Sequence, residues 1–243
     1  MICCIPTKGR PETKTFQLFN NVGIETYHFI EPQEMHLYNV PNKVSILKDN
    51  MGLAYSRNFI LDYCKTNLQD WAIICDDDVT QFGIYNGKTV KKDASIWFEI
   101  IEKAKKLPFE IVCISYRQHA WMHSSLYSIN KNTAEVCILI NISKINIRYS
   151  GNYPLKEDRH FSMLCVQNGN GVLRLNRYWF GCPNVGSNIG GLHNNYKNKM
   201  DEDSAIKLVK YWHPYAKLKK QGGRVDVKLN MKELAIKLNK IVK

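Results

Sequence analysis

The segment Trp71-Ala72-Ile73-Ile74-Cys75-Asp76-Asp77-Asp78 joins five apolar residues directly to three carboxylates. A short unbroken apolar run predicts a strand buried on both faces, the kind found in sheets covered by helices on each side. Working upstream, Ile2–Ile5 predicts a strand ending at Pro6, and Thr13–Asn21 a helix carrying Phe16 and Phe19. Glu25–Ile30 and Val44–Leu47 predict two more strands, and Ala54–Cys64 a helix. Downstream, a helix is expected over Asp93–Leu107, with Asp93 as N-cap and Pro108 as terminator. Ile111–Ser115, Leu126–Ile129, Val136–Ile140 and Val172–Tyr178 predict strands, and Glu157–Gln167 a helix. Strands separated by helices imply an α/β fold with a mostly parallel, Rossmann-like sheet, to which the later strands add an antiparallel part.

The chain has 243 residues, enough for one large domain or two small ones. Its 44% apolar and 23% charged residues are those of a globular protein. No run of about 18 apolar residues occurs, and Met1-Ile2-Cys3-Cys4-Ile5-Pro6 lacks the features of a signal peptide, so a cytoplasmic protein without a membrane span is expected. The eight cysteines include no Cys-x-x-Cys pair and sit mostly in apolar runs, which predicts buried free thiols rather than a zinc ribbon.

The net charge of +12 is unevenly placed. Residues 1–196 hold 21 basic and 17 acidic side chains, whereas residues 197–243 hold 13 and 5 and so carry +8 of the total. Asp203–Tyr211 and Met231–Val242 show helical spacing, which predicts a basic helical extension (197–243) packed on a domain of residues 1–196. Lys217, Lys219, Lys220 and Arg224 are its densest cluster. Such a surface suits a polyanion, nucleic acid first and an anionic membrane second; a solvated lysine-rich face is the plainer alternative. Residues 177–196, rich in Gly, Asn, Ser and Pro, predict a long loop.

Three adjacent carboxylates repel one another unless a cation compensates them. At a strand's carboxyl end, where open α/β sheets bind ligands, they suit a hard divalent cation holding a nucleotide diphosphate. Pro6, Thr7, Lys8, Gly9 and Arg10 leave the first strand with a glycine and two cations, fitting either a nucleotide or an ordinary turn. Gly52-Leu53-Ala54-Tyr55-Ser56-Arg57-Asn58 opens a helix from which Arg57 and Asn58 could reach a base or phosphate, or serve as caps. Glu157 and Asp158 pair two carboxylates at a helix start. His119 and His123, four apart, are expected to be surface or core residues rather than metal ligands.

Taken in order, these segments resemble the GT-A glycosyltransferases, over roughly residues 1–195. The resemblance implies that Pro6, Thr7, Arg10, Arg57, Asp76 and Asp77 line a nucleotide-sugar pocket, with Asp76 toward the ribose. It implies a metal, Mn²⁺ or Mg²⁺, on Asp78 with Asp76 and a later histidine, His193 before His213. It also implies that Asp158, in Lys156-Glu157-Asp158, is the catalytic base. Ile5-Pro6-Thr7-Lys8-Gly9-Arg10, the aspartate triplet, Glu157-Asp158-Arg159-His160-Phe161 and Asn188-Ile189-Gly190-Gly191 are similar, more narrowly, to the TET-associated glycosyltransferases of phages, which act on hydroxymethylated pyrimidines in DNA.

That resemblance implies a sugar moved from a nucleotide sugar, UDP-linked, to DNA, with the basic C-terminus on the acceptor. Trp121, Tyr178 and Trp179 would then be available to stack on an extruded base, although core or loop anchors are their expected role. The competing readings keep the fold but take a polysaccharide, lipid-linked or protein acceptor, or make the chain a non-enzymatic nucleic-acid binder. A nuclease would need carboxylates from more separate elements.

Overall fold

The computed structural model describes residues 1–184, 187, 190–198, 200–221 and 224–240. Strands and helices follow as β1 (Ile2–Thr7), α1 (Lys14–Asn20), β2 (Thr26–Ile30), β3 (Lys43–Ser45), α2 (Leu53–Thr66) and β4 (Trp71–Cys75). Next come β5 (Gln81–Tyr85), β6 (Thr89–Lys91), α3 (Ile96–Ala104), β7 (Ile111–Tyr116), β8 (Tyr127–Ile129) and β9 (Cys137–Asn141). The chain continues through α4 (Glu157–Asn168), β10 (Leu173–Gly181), α5 (His193–Lys197), α6 (Met200–Trp212), β11 (Ala216–Gln221), β12 (Arg224–Leu229) and α7 (Met231–Lys237).

The main sheet runs β3-β2-β1-β4-β9-β7-β10-β5-β6, with β8 also on β10. Its β3-β2-β1-β4 half is parallel, whereas β9 is antiparallel to both β4 and β7. β5 and β6 are antiparallel as well, so the sheet is mixed rather than mostly parallel. Residues 117–136 between β7 and β9 contain β8 but no α-helix, so no βαβ crossover sets these two strands parallel.

Because side chains alternate across a strand, β4 feeds two cores. Ala72 and Ile74 pack with Leu61 of α2, Phe161 of α4 and Trp212 of α6. Ile73 and Cys75 pack on the other face with Phe19 of α1 and Trp97 of α3. Burying an isoleucine side chain contributes about 1.5–3 kcal/mol, so Ile73 and Ile74 pin the acidic turn from both sides. The first of these cores also contains Val227, Met231 and Leu234, so the C-terminal segment shares the interior of the larger part.

Several expectations need correction. The C-terminal segment is not a helical extension: between its helices lies the hairpin β11–β12, and it carries all four residues of the basic cluster. α7 stops at Lys237, short of the expected Val242; Ile241, Val242 and Lys243 lie outside the described residues. β10 runs on through Gly181, taking the first part of the expected loop. The hairpin β5–β6 was not expected. A Cβ at Gly83 would lie 2.0 Å from the Trp179 ring, so this glycine makes room for a fully buried indole. All eight cysteines are free, seven of them buried. Among the described residues no helix is long and apolar enough to cross a membrane.

Two histidines are sealed inside. Burial pushes His28 and His160 down to about 4, and His160 Nδ1 accepts a hydrogen bond from Trp212 Nε1 at 3.0 Å. Both rings are neutral in the fold, whereas the unfolded chain takes up their protons from about pH 6.5 downward. Their contribution to stability is therefore complete above that value and is lost as pH falls toward 4. Thermal unfolding at pH 7.5 and 4.5 should show a smaller acid-induced drop in Tm for a His28→Gln/His160→Gln variant than for the wild type. An equal drop would assign acid sensitivity to the carboxylates alone.

Candidate active site

The carboxyl ends of β1 and β4, the first turns of α2 and α4, and the β11–β12 hairpin surround a cleft of about 1090 Å³. At its centre is the turn after β4. Thr15 of α1 holds that turn from below: its hydroxyl donates to the Asp76 carbonyl at 2.8 Å and accepts from the Val79 N–H at 2.9 Å.

The three aspartates diverge. Asp77 points inward, with Oδ2 accepting from the Thr7 hydroxyl at 2.7 Å and Oδ1 paired with Arg10 at 2.5 Å. Arg10 also lies 3.5 Å from Asp78, and its backbone N–H donates to the Tyr38 hydroxyl at 3.1 Å. Asp76 pairs with Arg57 at 3.0 Å; burial pushes its carboxyl up to about 6, against the pull of Arg57. Burial likewise raises Asp77, with Arg10 opposing.

Arg57 is buried and reaches Glu157 at 2.9 Å with its other terminal nitrogen. One guanidinium thus joins the end of β4 to the start of α4, and Tyr149 lies beneath it at 5.4 Å. Asn58 does not reach the cleft: its amide bonds both the carbonyl and the N–H of Tyr149, at 2.8 and 2.9 Å. Asp158, next to Glu157, lines the cleft half-buried, and its Oδ1 accepts the Arg159 N–H at 2.8 Å.

A loop closes over β1. Gly191 N–H donates to the Lys8 carbonyl at 2.9 Å, and Gly190 has φ +90°. A Cβ there would meet the Gly9 carbonyl oxygen at 2.9 Å, so both conformation and space require glycine. Asn188 and Ile189 of the same motif lie outside the described residues.

Residues 1–190 match the family described as TET-Associated Glycosyltransferase. The chain belongs to this family. It is accordingly a glycosyltransferase acting on DNA, which sets aside the polysaccharide, lipid, protein and nuclease readings and that of a non-enzymatic binder. No curated protein matches the chain. Among solved structures, A197 from STIV is 14% identical over 74% of this chain and 83% of its own, with a TM-score of 0.47. CMP:2-keto-3-deoxy-manno-octonic acid synthetase complexed with CTP is 8% identical over 86% and 98%, with a TM-score of 0.45. Neither is near enough to bear on function.

GT-A members of this kind typically use a divalent metal. Among the described residues no group of three or more His, Cys, Asp or Glu is arranged to hold one. Asp76 and Asp78 nonetheless turn hard oxygen donors toward the cleft, with side chains 30% and 26% exposed. Ions such as Mg²⁺ are commonly held by one or two carboxylates plus substrate phosphates. The donor set therefore fits a cation shared with a diphosphate, not one caged by protein alone. His193 lines the same cleft, whereas His213 is exposed and outside its lining.

The basic cluster divides. Strand alternation sets Lys220 on the face opposite Lys217, Lys219 and Arg224. Arg224 pairs with Asp201 at 2.8 Å and Lys219 with Asp226 at 3.4 Å. Tyr178 and Trp179 are core residues, while Trp121 is exposed.

Other residues of the TET-associated glycosyltransferase cleft escape a reading of motifs. Glu135 accepts from the Tyr116 hydroxyl at 3.3 Å and from Thr133, and burial, then Asp158, raise its pKa. Asp226, opposite Lys219 in the middle of the hairpin, pairs with Arg159 of α4. Arg174 lines the wall beyond.

Removing Arg57 would leave Asp76 and Glu157 facing each other without their shared cation. Arg57→Met should cost about 3–5 kcal/mol in denaturant unfolding, the scale for breaking a buried ion pair, and Arg57→Lys should recover part of it. A loss under 1 kcal/mol would deny Arg57 this bridging role.

Proposed function

We propose that the chain transfers a sugar from a UDP-linked donor to the hydroxyl of a hydroxymethylated pyrimidine in DNA. The observation that carries this reading is the meeting of three separate segments in one cleft: Thr7 and Arg10, Asp76 to Asp78, and Glu157 with Asp158. In it, the nucleotide lies along the end of β1 and the start of α2, near Pro6, Thr7 and Gly52, with Asp76 toward the ribose. Asp76 and Asp78 are the residues that would hold Mn²⁺ or Mg²⁺ together with diphosphate oxygens, and His193 of the same cleft is the further candidate ligand. When bound, such an ion neutralises charge developing on the leaving diphosphate.

Asp158 serves as the base. The acceptor oxygen attacks the anomeric carbon, its proton passes to the Asp158 carboxylate, and the electron pair of the broken carbon–oxygen bond leaves on the nucleoside diphosphate. Arg57 and Arg10 hold the surrounding carboxylates in place, so that the reacting groups meet without the site rearranging.

Asp158→Asn should leave donor affinity within about tenfold of wild type and lower turnover on the order of 10²–10⁴. Turnover near wild type would make Asp158 a helix-cap residue. For the metal, calorimetry with UDP should show Mn²⁺-dependent binding that Asp78→Ala abolishes. Metal-dependent affinity that survives this substitution would remove Asp78 from the ligand set.

A further inference from the structure

Four arginines line the cleft buried or half-buried, and they are compensated unequally: Arg10 has Asp77 and Asp78. Arg57 has Asp76 and Glu157, and Arg159 has Asp226. Arg174 is 9% exposed, and among the described residues no carboxylate lies within ion-pair distance of it. Its Nε donates to Asn176 Oδ1 at 3.0 Å and its Nη2 to His123 Nε2 at 2.7 Å, which requires that ring to be neutral. Glu135, in the same wall, is already engaged by Tyr116, Thr133 and Arg159. A buried guanidinium with no carboxylate in direct contact costs stability that an arriving anion would recover.

The segment above Arg174 has the same bias. From Ile111 to Ala134 there is no Asp or Glu, while Arg117, His119, His123 and Lys131 all occur. Lys131 and His119 line the cleft beside Arg174. The same stretch leaves large apolar side chains in solvent: Trp121 is 51% exposed, Met122 65%, Leu126 56% and Tyr127 55%. Cations interleaved with exposed aromatic rings are what a nucleic-acid strand requires, phosphates on the former and bases against the latter. The hairpin cluster, by contrast, spends Arg224 and Lys219 on Asp201 and Asp226.

We propose that residues 117–131, with Arg174 beneath them, form the surface that receives the acceptor strand of DNA, Arg174 taking a phosphate beside the target nucleotide. The proposal rests on the reading of the chain as a DNA glycosyltransferase and adds where the DNA lies.

Fluorescence anisotropy with a labelled hydroxymethylcytosine oligonucleotide, at several salt concentrations, tests it. Arg117→Ala/Lys131→Ala should weaken binding about tenfold and flatten the slope of log K against log salt by up to about 1.8, at about 0.9 per phosphate contact. Trp121→Ala/Tyr127→Ala should weaken it about fivefold or more with the slope unchanged, as lost stacking does. Arg174→Met, checked for folding by its Tm against Arg174→Lys, should lose DNA affinity but keep UDP affinity measured with Mn²⁺. Lys217→Ala/Lys220→Ala should change DNA binding least. The proposal is overturned if the first two variants bind as wild type, if the hairpin variant alone loses affinity, or if Arg174→Met loses UDP instead. A wild type that binds UDP but no DNA would overturn the functional reading as well.

Discussion

Arg57 is the bridge on which the cleft depends. Asp76 lies 19 residues after it and Glu157 100 residues after it, so a single side chain closes a long loop between the end of β4 and the start of α4. The Arg57 guanidinium is balanced in the interior by the two carboxylates that flank it, and Asp76 and Glu157 are in turn held close by their shared cation. Its neighbour Asn58 fixes the backbone of Tyr149, whose ring lies under the guanidinium, so the first turn of α2 sets the position of both charge pairs.

The parts of the fold that were legible in the sequence are those where periodicity was undisturbed. The run Trp71–Cys75 and the helices from Leu53 and Glu157 stand where their patterns place them. The hairpin β5–β6 was hidden because Gly83 reads as a breaker, and its reason, the Trp179 ring, lies nearly a hundred residues away. β11–β12 was masked by lysines that suggest a solvated helix, although Val225, Val227 and Leu229 alternate and Gly222-Gly223 precedes them.

The candidate site divides in the same way. Its contiguous motifs could be read, whereas Thr15, Tyr38, Glu135 and Asp226 become part of it only through tertiary contact. Arg174 left a faint trace, a charged residue between Leu173 and Leu175 in a strand that continues with Asn176 and Arg177. Net charge alone does not show which cations are already paired within the fold. Lys219 and Arg224 are paired with Asp226 and Asp201, whereas the acid-free stretch from Ile111 to Ala134 carries few charges of any kind.

The margins of the main sheet, β3, β6 and β8, are each only three residues long, and β3 and β6 carry Lys43 and Lys91. Exposed strand edges are templates on which another chain can add hydrogen bonds, and brevity with lysine is a common protection. A ladder begun on any of them would have three residues to grip, and on β3 or β6 a cation to desolvate as well. The extended central strands, apolar enough to seed cross-β aggregates, are thereby kept inside a sheet that offers neighbouring molecules almost no place to attach.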